Sequence, residues 1–403
     1  MTSRTLRTTP ALLAAGAVAS ALLVAGPATA HDADGRGGPG HGHGHGPGHG
    51  PGHGHGHGHR SAPEVIAHRG ASGYRPEHTL EAYELAVAQG ADAIEPDLVA
   101  TRDGVLVARH ENEIGGTTDV ADRPEFADRR TTRLIDGTAV TGWFTEDFTY
   151  AELSTLRAEE RLPEVRPGSA AYDGLYEVPT FDEVLDLADE LSEETGREIR
   201  VAPETKHPTY FDSIGLDLTP LVVEVLEERD YDEADSPVVV QSFETTNLRE
   251  LDELVDTPLV QLLDATGAPY DLVAAGDDTT YADLASRRGL REVARYADYV
   301  APHKDLVLPR DEAGAIGEPS DVVRDAHRAR LEVVVWTLRA ENQFLPTNLR
   351  SSDDPNAHGD LAGEVSAHLD AGVDVVFSDH PDVAVAARDA WVAEHQRPHR
   401  PRR

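Results

Sequence analysis

The sequence predicts an α/β protein built as a TIM-type (β/α)8 barrel, with an inserted lobe after the second or third strand. Three observations carry this prediction. Short β-branched runs alternate with amphipathic stretches from about Ser61 to Val392. Most runs are separated by a segment long enough for a crossover helix, the pattern of a parallel sheet. Their number comes to eight once one local hairpin is set aside, and eight such units in one chain close a barrel.

Residues 1–30 precede the fold. Arg4 and Arg7 lead into the apolar run "ALLAAGAVASALLVAG", and an A-x-A site ends at Ala30, the pattern of a secretory signal peptide. The run is too short and too rich in small residues for a permanent membrane span. With no Cys to carry a lipid anchor, a secreted, extracytoplasmic mature protein is expected. Residues 31–60, which include "HGHGHGPGHGPGHGHGHGHR", have nothing apolar to bury and read as a disordered linker. Alternating imidazoles there can bind transition metals; a flexible tether is the plainer reading. "GRGGPG" at 35–40 matches a nucleotide-loop spacing, but no strand precedes it and no helix follows.

The folded part spans 61–392, with 111–178 as the inserted lobe and 393–403 as a basic tail. Candidate strands are "EVIAH" (64–68), "DAIEPD" (92–97), "VLVARH" (105–110), "EIRVAPE" (198–204), "PVVVQSF" (237–243), "PLVQLL" (258–263), "DYVAP" (298–302), "EVVVWT" (332–337) and "DVVFSD" (374–379). Helical stretches at 79–89, 180–194, 219–228, 246–255, 319–330 and 361–371 separate most of them, and Thr180 with Glu183 forms a capping box. Nine candidates exceed eight by one. Only "ATRDG", with its Asp-Gly turn signal, separates the second from the third, so one of these two is a strand extension or local hairpin.

Composition limits the chemistry. There is no Cys, so disulfides, thiol nucleophiles and Cys-ligated metals are excluded. A formal net charge of −37 argues against nucleic acid as partner. An anionic substrate would need a local patch of positive charge.

Barrels of this type place their chemistry at the C-terminal strand ends. Glu95 and Asp97 lie two apart in "IEPD" and so share one side of a strand, where they repel unless a cation lies between them. Glu204 in "VAPETK" ends the next full strand and completes a candidate divalent-metal site. Oxygen donors alone favour a hard cation, Ca2+ or Mg2+. The same spacing also suits an exposed strand end with ordinary ion pairs. His68 and His110 end strands on either side of the acids and can serve as general acid and general base near neutral pH. Arg69 and Lys206 add positive charge suited to a phosphate, or to the carboxylates themselves. A cation, two imidazoles and two basic groups fit phosphodiester cleavage.

"AHRGASGYRPEHTLEAYELAVAQGADAIEPDLVATRDGVLVARHE" resembles the opening of the glycerophosphodiester phosphodiesterases: H-R-G, P-E-N-T, E-x-D, a D-G turn and a second His. "PETK", "VVVQSF", "VVVWTL" and "GVDVVFSDHP" follow in the family's order, so the resemblance spans 64–385. It implies hydrolysis of a small-molecule glycerophosphodiester to glycerol 3-phosphate and an alcohol. Glu95, Asp97 and Glu204 fall on the metal positions, and His68 and His110 on the acid/base pair, in a two-step route through a cyclic phosphate; direct attack by water would use the same residues, and His68 is read as the acid of the first step although spacing does not fix which imidazole takes that part. The long insertion is similar to that of the secreted and periplasmic branch, which implies Ca2+, with Mg2+ the alternative. Trp336 and Phe243 are expected to pack on the glycerol or alcohol moiety; for Phe243, core packing is the alternative. Two positions depart from the pattern: His78 stands for the usual Asn, and Glu111 follows His110 where Asp is common. Neither is expected to touch a proposed ligand. Two rivals remain. A phospholipase C-like or sphingomyelinase D-like enzyme should carry exposed apolar or basic loops, and a secreted metal-sequestering protein would work through its His-Gly tract.

Overall fold

The computed structural model describes residues 62–395. The expected signal peptide, the Gly/His linker and all but the start of the basic tail lie outside the described residues.

The strands in chain order are β1 (Glu64–His68), β2 (Ala93–Glu95), β3 (Asp97–Ala100), β4 (Leu106–Ala108), β5 (Thr131–Ile135) and β6 (Thr138–Gly142). They continue with β7 (Arg200–Val201), β8 (Glu204–Thr205), β9 (Val240–Ser242), β10 (Leu259–Leu263), β11 (Tyr299–Pro302), β12 (Glu332–Leu338) and β13 (Val375–Ser378). β1 pairs in parallel with β13 on one side and β2 on the other. β2 pairs with β7 and β3 with β8, so each of these couples is one barrel stave broken in the middle. The ring then runs from β8 to β9 and through β10, β11 and β12 back to β13. The result is a closed barrel of eight parallel staves.

The two breaks fall at Pro96 and Pro203. A prolyl nitrogen has no hydrogen to donate to a ladder, but both carbonyls still accept, from Glu204 N–H at 2.9 Å and Gln241 N–H at 2.8 Å. β4 runs antiparallel to β3 through the Asp103-Gly104 turn, with Gly104 at φ +80°. The segment 105–110 is therefore the local hairpin, and the surplus strand is resolved.

Helices Leu80–Ala88, Phe181–Thr195, Leu218–Glu228, Thr245–Leu254, Val322–Ala329 and Leu361–Asp370 fall where periodicity puts them. Thr180 and Glu183 form the capping box, Glu183 N–H donating to Thr180 Oγ1 at 3.1 Å and Thr180 N–H to Glu183 Oε2 at 2.8 Å. Three short helices, Tyr270–Ala275, Tyr281–Leu284 and Arg287–Val293, cross from β10 to β11. Each spans two turns or fewer, too short for an apolar repeat to register. Pro381–His395 also escapes the periodic reading and runs into the segment expected as tail.

Strand alternation determines what faces the barrel lumen. Ile66, Ala93, Ala202, Val239, Val260, Val334 and Phe377 pack together inside it. Val65, Ala67, Ile94, Val240, Val333 and Val376 face outward into the core shared with the helices. Two residues beyond Ile66, Ala93, Ala202 and Val334, at the C-terminal mouth, stand His68, Glu95, Glu204 and Trp336.

The segment between β4 and Phe181–Thr195 contains the β5–β6 hairpin and sends Arg166 across to the strand ends. Arg166 donates to Glu341 Oε1 at 2.7 Å, to Ser72 O at 3.0 Å and to Asp379 Oδ2 at 2.5 Å. Its side chain is 4% exposed and both carboxylates are buried. Removing one member of a buried ion network strands the others. Arg166→Ala is expected to lower stability by about 3–5 kcal/mol, read as a fall in the urea midpoint. An unchanged midpoint would mean that these bonds contribute nothing.

Candidate active site

Glu95 and Asp97 flank Pro96 at the break in one stave, and Glu204 follows Pro203 at the break in the next. One oxygen from each lies within 4.8 Å of the others. All three are buried, Glu95 and Asp97 at 1% exposure. Arg69 N–H donates to Glu95 Oε2 at 2.8 Å, and Arg69 Nε stands 3.1 Å from Asp97 Oδ2. Lys206 Nζ donates to Glu204 Oε1 at 2.7 Å and lies 3.8 Å from Asp97 Oδ1.

Two cations do not balance this cluster. Burial and then the Asp97 charge push the Glu95 carboxyl well above the carboxylate range. Burial also raises Glu204, to about 8, against the pull of Lys206. Asp97 is held low, because Lys206, Arg69 and His78 together outweigh its burial. Asp97 Oδ1 is buried and has no hydrogen-bond partner among the described residues. Three buried carboxyls, one with an orphaned oxygen and all offering hard donors, fit a divalent cation of the Ca2+ or Mg2+ type.

The imidazoles come from the end of β1 and from just beyond β4. His68 ends β1, and its Nδ1–H donates to Asp379 Oδ1 at 2.6 Å, which leaves Nε2 as the working nitrogen. Asp379 is fixed in turn by Arg339 Nε at 2.9 Å and by Arg166. His110 Nδ1 lies 3.0 Å from Glu111 Oε1. Burial, reinforced by Arg69, lowers His68 to about 4, and burial with Arg69 and Lys206 lowers His110 to about 3. Phe243 and Trp336 meet edge to face at 5.4 Å, with Lys206 Nζ 5.7 Å from the Phe243 ring centre. Trp336 also borders a cavity of about 220 Å³ lined by His303, Arg310, Arg339 and Phe344. All nine residues singled out in the sequence thus gather at one end of the barrel.

The glycerophosphoryl diester phosphodiesterase family model matches residues 68–383. The chain belongs to that family. A glycerophosphodiester phosphodiesterase of Arabidopsis thaliana is 35% identical over 309 residues, 73% of this chain and 79% of that protein. One of Haemophilus influenzae is 29% identical over 346 residues, 80% of this chain and 88% of the relative. A phosphodiesterase of Oleispira antarctica, solved with its product sn-glycerol-3-phosphate, superposes with a TM-score of 0.53 over 81% of this chain and 97% of that one. At 19% identity, that likeness speaks for the fold alone.

One expectation about this phosphodiesterase needs correction. His78 does touch a proposed ligand: its Nε2 lies 2.8 Å from Asp97 Oδ2, and its Nδ1 lies 2.9 Å from Tyr83 Oη. The loop after β1 folds back, His78 N–H donating to Arg69 O at 3.1 Å, and this brings His78 over a residue 19 positions away. Glu111 touches the candidate base His110 and none of the three proposed ligands. Asp379 was missed as a partner for His68 although it lies in the quoted closing pattern "SDHP", because nothing local signals a bond between residues 311 apart. Glu77 was missed too; it takes Arg69 at 3.3 Å and Arg161 of the inserted segment at 3.0 Å.

His207 was another omission. Its Nδ1 lies 2.5 Å from Asp136 Oδ2 in the turn between β5 and β6, and its Nε2 lies 2.8 Å from Glu111 Oε2. It thereby ties the inserted segment to the neighbour of His110. Burial opposes its charge, but the two carboxylates prevail and raise it from 6.5 to about 9. A raised folded-state value means that the clamp contributes fully below pH 6.5 and is lost as pH rises through about 9. The wild type is expected to melt above His207→Gln at pH 6, with the gap closing by pH 10. A gap that is constant over this range would show that the charge does not hold the clamp.

Proposed function

We propose that the chain hydrolyses glycerophosphodiesters to glycerol 3-phosphate and an alcohol by imidazole acid/base catalysis. The observation that carries the reading is the convergence of Glu95, Asp97 and Glu204 within 4.8 Å beside Arg69 and Lys206, with His68 and His110 at flanking strand ends. A divalent cation on the three carboxylates, Ca2+ by preference and Mg2+ otherwise, would neutralise charge building up on the phosphate oxygens.

The chain's own groups do the rest. Arg69 and Lys206 attract the phosphate into a protein that is acidic elsewhere. His110, kept neutral by burial and by these two cations, accepts the proton of the glycerol 2-hydroxyl as that oxygen attacks phosphorus. The bond from phosphorus to the alcohol oxygen breaks, and His68 hands its proton to the leaving alkoxide. Burial and Arg69 work against a charged His68, and Asp379 is the group that opposes them, favouring the protonated form that this step needs. Water then opens the cyclic phosphate: His68 takes its proton and His110 returns one to the glycerol 2-oxygen. Phe243 and Trp336 form an aromatic wall beside this centre for the glycerol or alcohol carbons. The pattern at 1–30 supports an extracytoplasmic setting for the reaction.

The test is release of glycerol 3-phosphate from glycerophosphocholine, followed by a coupled assay with and without chelator. Hydrolysis is expected, lost on chelation and restored by Ca2+. Turnover that survives complete chelation would remove the cation from the mechanism. Inactivity on any soluble glycerophosphodiester, with cleavage of intact lipid vesicles, would move the chain to a lipase-type reaction.

A further inference from the structure

A second cluster of ligand atoms lies among residues that the proposed reaction does not use. We infer that Glu341, His358 and His380 form a binding site for a borderline transition-metal ion of the Zn2+ type, sharing no residue with the carboxylate cluster. One ligand atom from each lies within 4.8 Å of the others. Two imidazoles and one carboxylate, with no Cys, suit such an ion and not Ca2+.

The polar accounting points the same way. His380 and Glu341 are 0% exposed. Both ring nitrogens of His380, and Oε2 of Glu341, lack a hydrogen-bond partner among the described residues. Buried polar atoms are nearly always satisfied, and leaving one unsatisfied is costly. A bound ion would satisfy one nitrogen and the carboxylate oxygen together.

The surroundings hold these groups in place. Arg166 Nε takes Glu341 Oε1 at 2.7 Å, orienting the carboxylate and leaving Oε2 open. Glu341 and His358 face each other in an antiparallel bridge. That bridge is framed by Asn342 N–H to Ala357 O and Gly359 N–H to Ala340 O, both at 2.8 Å. The side chain of Asn342 pins the intervening loop, donating to Asp354 O at 2.8 Å and accepting from Ser351 N–H at 3.0 Å. A Cβ on Gly73 would fall 2.5 Å from His380 Nε2 and 2.7 Å from both flanking carbons. These near-equal distances put Gly73 over the ring face, so the in-plane lone pairs are left uncovered by it. The His358 and His380 rings lie 5.0 Å apart at 81°. Ligands around tetrahedral zinc stand about 3.3–3.5 Å apart, so the cluster must contract. His358 is exposed, which gives its ring room to move and the ion a way in. Occupied, the site would staple the loop carrying His358 to the end of β13.

The test uses the full chain with Ca2+ in excess, melted with and without micromolar Zn2+. Zn2+ is expected to raise the wild-type Tm by roughly 2–5 °C. His358→Ala and His380→Ala should each abolish that rise. The rise should persist when residues 31–60 are deleted, which separates this site from metal binding by the His-Gly tract. His358→Ala removes only an exposed ring, so its Tm in chelator should match the wild type and show that the variant is folded. No rise in the wild type would overturn the site. So would a rise retained in full by either variant; in the first case the three rings Tyr74, His380 and His358 would simply be an aromatic cluster, with Tyr74 and His380 edge to face at 5.2 Å.

Discussion

His110→Ala is expected to lower kcat for glycerophosphocholine hydrolysis by about 10²–10⁴-fold, the range of general acid/base catalysis, with little change in KM. The side chain is a quarter exposed and its close polar partner among the described residues is Glu111, so its removal opens no buried cavity. The loss should therefore fall on the chemical step, with the Tm unchanged. His68→Ala should cost a similar factor, and so should Asp379→Asn, since an amide there no longer enforces the Nδ1–H tautomer and loses the charge paired with Arg166 and Arg339. The decisive comparison is the double variant. Two groups that act in one proton relay give non-additive losses, so His68→Ala with His110→Ala should be scarcely slower than either alone. Multiplying losses would mean that the imidazoles act independently, and wild-type turnover in His110→Ala would remove it from the reaction.

Glu95→Gln should separate the cation from the fold. The amide keeps the shape of the side chain and can still accept from Arg69 N–H, which now reaches Glu95 Oε2 at 2.8 Å. It removes one negative charge from a cluster that holds too many. Activity at low Ca2+ is expected to fall by about 10²–10³-fold, as when one group aimed at transition-state charge is lost, and to recover in part as Ca2+ is raised. In chelator the sign reverses. Burial and the Asp97 charge push the Glu95 carboxyl well up, so neutralising it relieves repulsion, and the variant should melt at or above the wild type. A lower Tm in chelator, together with undiminished activity at low Ca2+, would show that the cluster holds no ion.

The sequence by itself determined the barrel and the membership of its mouth. Strand side chains alternate with a period of two, so Ile66 followed by His68, Ala93 by Glu95 and Ala202 by Glu204 declare a packed floor beneath a polar rim before any contact is known. The Asp-Gly turn likewise marks 105–110 as a hairpin, because a positive φ at Gly104 is a local requirement. What only the tertiary structure decided is who supports whom. His78 reaches Asp97, Glu111 reaches His110, Asp379 orients His68, and Arg166 joins Asp379 to Glu341 through loops whose paths have no periodicity. The same folding back assembles Glu341, His358 and His380. Local pattern specifies the face a side chain takes; ring closure and loop path specify its neighbours, and the electrostatics of this site depend on the neighbours.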